Sequence, residues 1–457
     1  MFINTNLVKS LMLRIYFFIF LLWMIPTLQA TEFIVKDINR DDNKSSTWIV
    51  LPYAFASNST GFTGGVAGVF HGFLQPQMTL VVTAFRGEKL PVNEFNSGVV
   101  NEEEAYAKGF FIGVTGVRIP YTKRFFVSFL GMRAYYPNQQ LYIDGSNEST
   151  RDVENTAVDN LTPFQTQGWS NWSYLDLRYI LPIGESSTQV LPIIETTRGI
   201  AVNRDKFGGG IPFATGQTVV GIKPFYQRWT ADKLIPNAFI STNGIKGYVQ
   251  HDNTDYPDNP SRGYSMEFKY AQDFGWGEST EKWNALEATY SHYIELPLPT
   301  WMRHQVIALN GWTAYSPSWD YSTVISKSSN GQDAFYKGQT PMWEGARLGG
   351  WDRMRAYDSN RFNDKAAIYG AVEYRMIPNF NPMNDQKWSP IPIDWFQAVL
   401  FAEAGRVAPK YNFDLLSDMK YDAGFSIRAL AATLPVRFEM AFGSEGSTMW
   451  VMLKQPF

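Results

Sequence analysis

The sequence predicts an all-β protein, a transmembrane antiparallel β-barrel of sixteen strands, and three observations predict it. Apolar and polar residues alternate with a period of two through most of the chain, in stretches longer than the five or six residues common in soluble β-sandwiches. Aromatic residues make up 16% of the 457 residues, and many stand at the ends of these stretches, as in the girdles at membrane interfaces. Short turns such as 119–124 and 296–301 alternate with long polar loops, 87–108, 137–168 and 317–365. No apolar run beyond residue 30 is long enough to cross a bilayer as a helix, so strands must cross it, and closure must pair their edges.

Composition removes several function classes. Lys+Arg 40 against Asp+Glu 43 gives a net charge of -3 with both signs interspersed, so no basic block tracks phosphates and nucleic acid is not a partner. The absence of cysteine excludes disulfides, thiolate metal sites and cysteine catalysis, and it suits an exported chain. The available general bases are His71, His251, His292 and His304, none in a Ser/His/Asp setting, and Gly443–Ser447 lacks the Gly-x-Ser-x-Gly spacing. No metal-ligand spacing stands out, so the chain reads as no enzyme, with no cofactor and no metal.

In chain order, residues 1–30 have the layout of a secretory signal: Lys9 and Arg14, an apolar run from Ile15 to Ile25, then Pro26 and a small-residue end. Residues 31–47 are read as a short periplasmic segment and 48–457 as the barrel. Tyr264, Met266, Phe268 and Tyr270 share one face against Ser265, Glu267 and Lys269. Tyr421, Ala423, Phe425 and Ile427 oppose Asp422, Ser426 and Arg428, and Val436, Phe438, Met440 and Phe442 alternate with Arg437 and Glu439. Tyr135, Tyr136, Trp169, Trp172, Trp283, Tyr293, Trp301, Trp312 and Trp319 are expected in the girdles.

Seventeen stretches qualify as strands, the first at 48–55 and the last at 448–457. Single-chain bacterial barrels close with an even number, and 189–201, which alternates poorly and runs into a glycine-rich segment, is the one expected to lie outside the barrel.

Four motifs carry a resemblance. Residues 252–263 form an acidic, Asn- and Pro-containing turn. Residues 348–357 contain Gly349 and Gly350, followed by Met354, Arg355, Ala356 and Tyr357. Residues 369–375 place Glu373 four residues after Tyr369, and 401–407 place Glu403 two residues after Phe401. By alternation, Glu373 and Glu403 both point into the lumen from strands next in sequence, where two carboxylates need a cation. Arg355, on a long loop able to fold inward, offers a guanidinium fork.

This set resembles the bacterial surface antigen barrel of the BamA/TamA outer-membrane assembly superfamily, in a member lacking POTRA domains. The resemblance implies that loop six enters the lumen and is latched there by Arg355 on Glu373 and Glu403; Arg361, a few residues on in the same loop, is expected to be replaceable without loss of stability, as an ordinary loop residue. It also implies that Phe457 is the C-terminal assembly signal. Two positions depart from the family pattern. Ala356 replaces the usual Gly, which tells against a positive φ there, and Glu403 replaces the usual Asp.

The function implied is assembly, insertion or translocation of protein or lipid at the outer membrane of a Gram-negative bacterium. The alternative is a passive pore or structural barrel without insertase activity. Expected partners are outer-membrane lipids, the barrel assembly machinery during biogenesis, and a periplasmic partner supplying the missing domains.

Overall fold

The structure, a computed structural model, describes residues 32–38, 47–57, 59–72, 74–93, 100–142, 164–204, 208–231, 238–318, 322–327, 333–337, 344–383, 393–431 and 434–457. The expected signal segment, Trp319 and most of residues 31–47 before the first barrel strand lie outside these residues. The strands in chain order are β1 (Ile34–Asp37), β2 (Thr47–Ser57), β3 (Gly61–His71), β4 (Thr79–Asn93), β5 (Val100–Arg118), β6 (Phe125–Leu141), β7 (Phe164–Ile180), β8 (Ile193–Thr197), β9 (Ile200–Ala201), β10 (Gln217–Ala231), β11 (Ala238–Thr254) and β12 (Gly263–Asp273). They continue with β13 (Trp283–Glu295), β14 (Met302–Tyr315), β15 (Ser322–Lys327), β16 (Asp333–Lys337), β17 (Ala346–Leu348), β18 (Phe362–Asp364), β19 (Ala366–Pro378), β20 (Ile393–Ala408), β21 (Lys420–Ala431), β22 (Leu434–Gly443) and β23 (Gly446–Leu453).

Sixteen of them form one antiparallel sheet in the order β2-β3-β4-β5-β6-β7-β10-β11-β12-β13-β14-β19-β20-β21-β22-β23. Alternation fixes which face is which, because a one-residue slip would turn every side chain over. On β21, Tyr421, Phe425 and Ile427 are exposed while Asp422, Ser426 and Arg428 are buried. On β22, Phe442 is exposed and Arg437 and Glu439 are fully buried. An apolar exterior around a charged interior is the reverse of a soluble sandwich and is the pattern of a membrane barrel.

Residues 189–201 stand apart from the barrel sheet. β8 and β9 join β1 in a separate three-stranded sheet, with Ile34 paired to Ile193 in parallel register. Three sequence expectations are corrected. The 87–108 loop is largely strand, and both described ends of 137–168 are strand too, since β4 runs to Asn93, β5 starts at Val100, β6 runs to Leu141 and β7 starts at Phe164. Hairpins projecting past the membrane keep their ladders with polar side chains, so polarity there does not mark a loop. Trp172, Trp283, Tyr293 and Trp312 are buried, whereas Trp301 is exposed and fits a girdle. The four point into a lumen wide enough to need large rings as filling. The last strand ends at Leu453, after which Lys454, at φ 64°, turns the chain inward.

The connection 181–216 lies at the same barrel end as the turns 119–124 and 255–262, opposite the loop 316–365, and covers that mouth. Trp395 Nε1 donates to the Gly199 carbonyl at 3.1 Å, and Ile200 packs on Ile377, Trp395 and Leu430. Asn259, in the turn 255–262, accepts from Gln397 at 3.1 Å. The N-terminal segment completes the cover. Glu32 N–H donates to Gln217 Oε1 at 3.0 Å, Gln217 Nε2 returns a bond to the Glu32 carbonyl at 3.1 Å, and Arg178 donates to the Glu32 carboxyl at 2.7 Å.

Burial pushes the Glu32 carboxyl up from 4.5 to about 7, against the pull of Arg178 and with Asp176 adding to the rise. Its folded value lies above its unfolded one, so its contribution to docking is complete below about pH 4.5 and is lost as the pH rises through about 7. Hydrogen exchange of residues 33–38, corrected for intrinsic rate, should therefore show protection falling across that window in the wild type. A Glu32→Gln variant should show no such fall.

Candidate functional site: the loop-six latch

The loop between β14 and β19 is the sixth of the connections at its end of the barrel, and its stem is the β17–β18 ladder, with Leu348 opposite Phe362. Its tip is folded by its own backbone. Gly350 N–H donates to the Tyr357 carbonyl at 3.0 Å, Tyr357 N–H to the Met354 carbonyl at 3.1 Å, and Arg361 N–H to the Asp358 carbonyl at 3.0 Å. Gly349 and Gly350 stand at φ 101° and 121°, and a Cβ on Gly349 would lie 2.3 Å from the Asp358 carbonyl oxygen, so this corner requires glycine. The left-handed position within the tetrad is Met354, at φ 53°. Ala356 is not among the positive-φ residues, and its N–H donates to Asp422 Oδ2 at 2.9 Å.

Arg355 is fully buried inside the barrel. Its backbone N–H and Nε donate to the two carboxylate oxygens of Glu403, at 2.6 and 3.0 Å. One terminal nitrogen donates to Glu373 at 2.8 Å and to Glu439 at 2.9 Å. The guanidinium carbon sits 3.6 Å from the centre of the Phe401 ring. The Arg355 carbonyl accepts from Trp450 Nε1 at 2.7 Å and from Thr448 Oγ1, both on β23. A fixed planar fork suits this arrangement better than an ammonium would.

The structure thus brings Arg355, Glu373 and Glu403 together and adds partners not named from the sequence. Glu439 joins Arg355, Arg428 and Arg437. Glu373 also holds Arg375 at 2.7 Å and Arg428 at 2.8 Å. Four guanidinium groups and four carboxyl groups, Asp422 included, share one buried cluster. Arg428, Arg437 and Glu439 were visible as charges on the inward face of their strands, but alternation alone gives no distances between strands.

The other loop residues pack around this centre. Met354 is fully buried against Leu348, and a Cβ on Gly405 would meet Leu348 at 2.7 Å and Met354 at 3.1 Å, so the glycine of residues 401–407 makes room for the loop. Tyr357 donates its hydroxyl to the Tyr421 carbonyl at 3.0 Å and sets its ring edge-on to Phe362. Arg361 is not an ordinary loop residue. It is 1% exposed, forks onto Glu445 at 2.6 and 2.9 Å and lies 5.3 Å from the Tyr142 ring.

Phe457 turns back into the lumen beside Tyr293 and Val306, and Arg375 donates to its carbonyl at 3.0 Å while lying 5.0 Å from its ring. Among the described residues no cluster of three or more His, Asp or Glu could hold a metal ion. The site's chemistry is that of a charge-assisted clamp.

A model of the Omp85 superfamily domain matches residues 217–447, the stretch that carries loop six and most of the clamp. Among solved structures, the chain is similar to CdiB from Escherichia coli, at 10% identity and a TM-score of 0.51 over 90% of this chain and 62% of that one. It is also similar to BamA from Haemophilus ducreyi lacking POTRA domains 1–3, at 12% identity and a TM-score of 0.43 over 90% of this chain and 69% of that one. No curated protein sequence matches the chain.

Breaking a buried ion pair from one side costs about 3–5 kcal/mol, whereas an exposed charge contributes about 0–1 kcal/mol. Arg355→Ala should lower the denaturant midpoint of the heat-modifiable barrel clearly, and Lys410→Ala, on the exposed loop after β20, should leave it unchanged. Arg361→Ala should also destabilise, by a smaller amount, because it removes a buried side chain and its fork onto Glu445, which keeps Lys420 at 3.8 Å. Arg355→Glu combined with Glu403→Arg should recover part of the Arg355→Ala loss, measured by the same unfolding curve.

Proposed function

The chain belongs to the Omp85 superfamily, and we propose that it serves at the outer membrane of a Gram-negative bacterium in the assembly, insertion or translocation of protein or lipid. The observation that carries this reading is the bond from loop six to the last strand. Arg355 is held by carboxylates on β19, β20 and β22 while its carbonyl is held by Thr448 and Trp450 of β23. The position of the loop and the state of the sheet's terminal edge are therefore coupled.

That edge is built to part. β23 has eight residues, the fewest of the sixteen strands, and β2 carries Pro52, which supplies no backbone donor. A passive pore is a poorer fit. Loop six and the arginine cluster fill the lumen from one side, and the connection 181–216 with the turn 255–262 covers the other mouth. A client therefore has its easiest route beside the wall, where a parted seam exposes unpaired strand edge and thins the bilayer.

Purified barrel in liposomes should raise the rate at which an unfolded outer-membrane barrel protein becomes protease-protected, several-fold over protein-free liposomes. Cysteines placed singly at Trp48 or Val50 of β2 and at Met449 or Val451 of β23, all on the outer face of the terminal strands, should abolish the gain in whichever pairing cross-links on oxidation and restore it on reduction. Unchanged rates with the seam cross-linked would overturn the reading, as would rates equal to those of empty liposomes.

A further inference from the structure

We propose that the outer surface of strands β4 to β7, at the barrel end that carries loop six, is a docking site for a phosphate-bearing lipid headgroup of the outer leaflet. Four residues stand in register across these strands. Arg86 is opposite Lys108, Lys108 opposite Tyr135, and Tyr135 opposite Trp169. Arg133 lies one outward-facing position below Tyr135, opposite Asn171. Arg86, Lys108 and Arg133 are all exposed and share the outer face of their strands with apolar residues: Val82 on β4, Phe110 on β5 and Phe129 on β6.

Toward the covered mouth, the outward positions of these strands carry no charge and, apart from Asn171 and Ser173 on β7, are apolar through Val82, Phe110, Phe129, Leu175 and Leu177. The cations are therefore the first charges above the lipid-facing band, at the depth of the headgroups.

The cations are pre-positioned on rings. Arg86 lies 4.3 Å from the Tyr106 ring centre, Arg133 4.6 Å from that of Trp169, and Lys108 5.9 and 5.8 Å from those of Tyr135 and Trp169. The Tyr135 ring is tethered by its hydroxyl, which donates to Gln167 at 2.9 Å, and the Trp169 backbone N–H donates to Thr230 Oγ1 at 2.9 Å. An arginine stacked on a ring keeps its N–H edge free for an oxyanion.

Among the described residues, none of Arg86, Lys108 and Arg133 has a carboxylate partner, whereas neighbouring outward cations do: Lys89 pairs with Glu104 at 3.4 Å and Arg228 with Glu278 at 2.5 Å. Two of the three, Arg86 and Lys108, line a shallow cavity of about 460 Å³ together with Ala105, Tyr106 and Tyr135, and Arg133 lies on the next strand. Two unneutralised cations lining an aromatic-walled hollow, with a third on the adjacent strand and an apolar surface below, complement a ligand with phosphate above acyl chains.

The test titrates the full chain in detergent with lipopolysaccharide, with the same glycolipid after enzymatic dephosphorylation, and with inorganic phosphate, read by native mass spectrometry. Wild type should bind the phosphorylated glycolipid at least about tenfold more tightly than does the R86Q/K108Q/R133Q variant. Dephosphorylation should weaken wild-type binding by a similar factor, and R118Q/K123Q, exposed at the opposite end, should behave as wild type. Heat-modifiability shows that each variant is folded, and Lys108→Gln alone should give a smaller loss in the same direction should the triple variant fail to assemble. Equal affinity of the two proteins, an equal loss in R118Q/K123Q, or inorganic phosphate binding as tightly as the glycolipid would each overturn the proposal.

Discussion

The interior of this barrel depends on a charge problem solved in one place. Inward-facing Glu373, Glu403 and Glu439 lie buried on neighbouring or near-neighbouring strands, and each would carry a large desolvation penalty unpaired. Arg355 reaches all three, and Arg375, Arg428 and Arg437 take up the remaining oxygens. Loop six is thus held inside by more than apolar burial. Withdrawing it would leave three carboxylates with one guanidinium fewer, so the loop's place and the barrel's charge balance are one constraint.

Around that centre the sequence makes local concessions. Two left-handed glycines form the corner at the loop's entry, a methionine accepts an unusual φ, and Gly405 yields its side-chain volume to Leu348 and Met354. Such features destabilise in isolation and persist where surrounding contacts over-determine them. Here the Glu403 carboxylate over-determines the tip by binding both the backbone and the side chain of Arg355.

Much of this was legible in the sequence, because alternation in a barrel separates lipid from lumen residue by residue. It placed Glu373 and Glu403 inward and put the inward charges of β21 and β22 on one face. It failed where a feature depends on depth or on a partner strand. Trp172, Trp283 and Trp312 read as interface aromatics because girdle and lumen filling use the same residue types, and only the register against neighbours tells them apart. Arg361 read as solvated because its partner, Glu445, lies in a turn 84 residues away. The inward fold of Phe457 turns on a single left-handed residue, Lys454, which no periodicity announces.

The clamp also has a consequence for the order of assembly. All eight of its charged groups, with the β17–β18 stem and the carbonyl of Phe457, belong to residues 346–457. This segment's main backbone tie to the rest of the chain is the β14–β19 ladder, and side-chain ties reach further, from Tyr142 to Asp358 across 216 residues and from Trp395 to Gly199 across 196. The C-terminal quarter therefore balances its own buried charge without a charged group from the eleven preceding strands, so the clamp can close as soon as these last strands and loop six are in place.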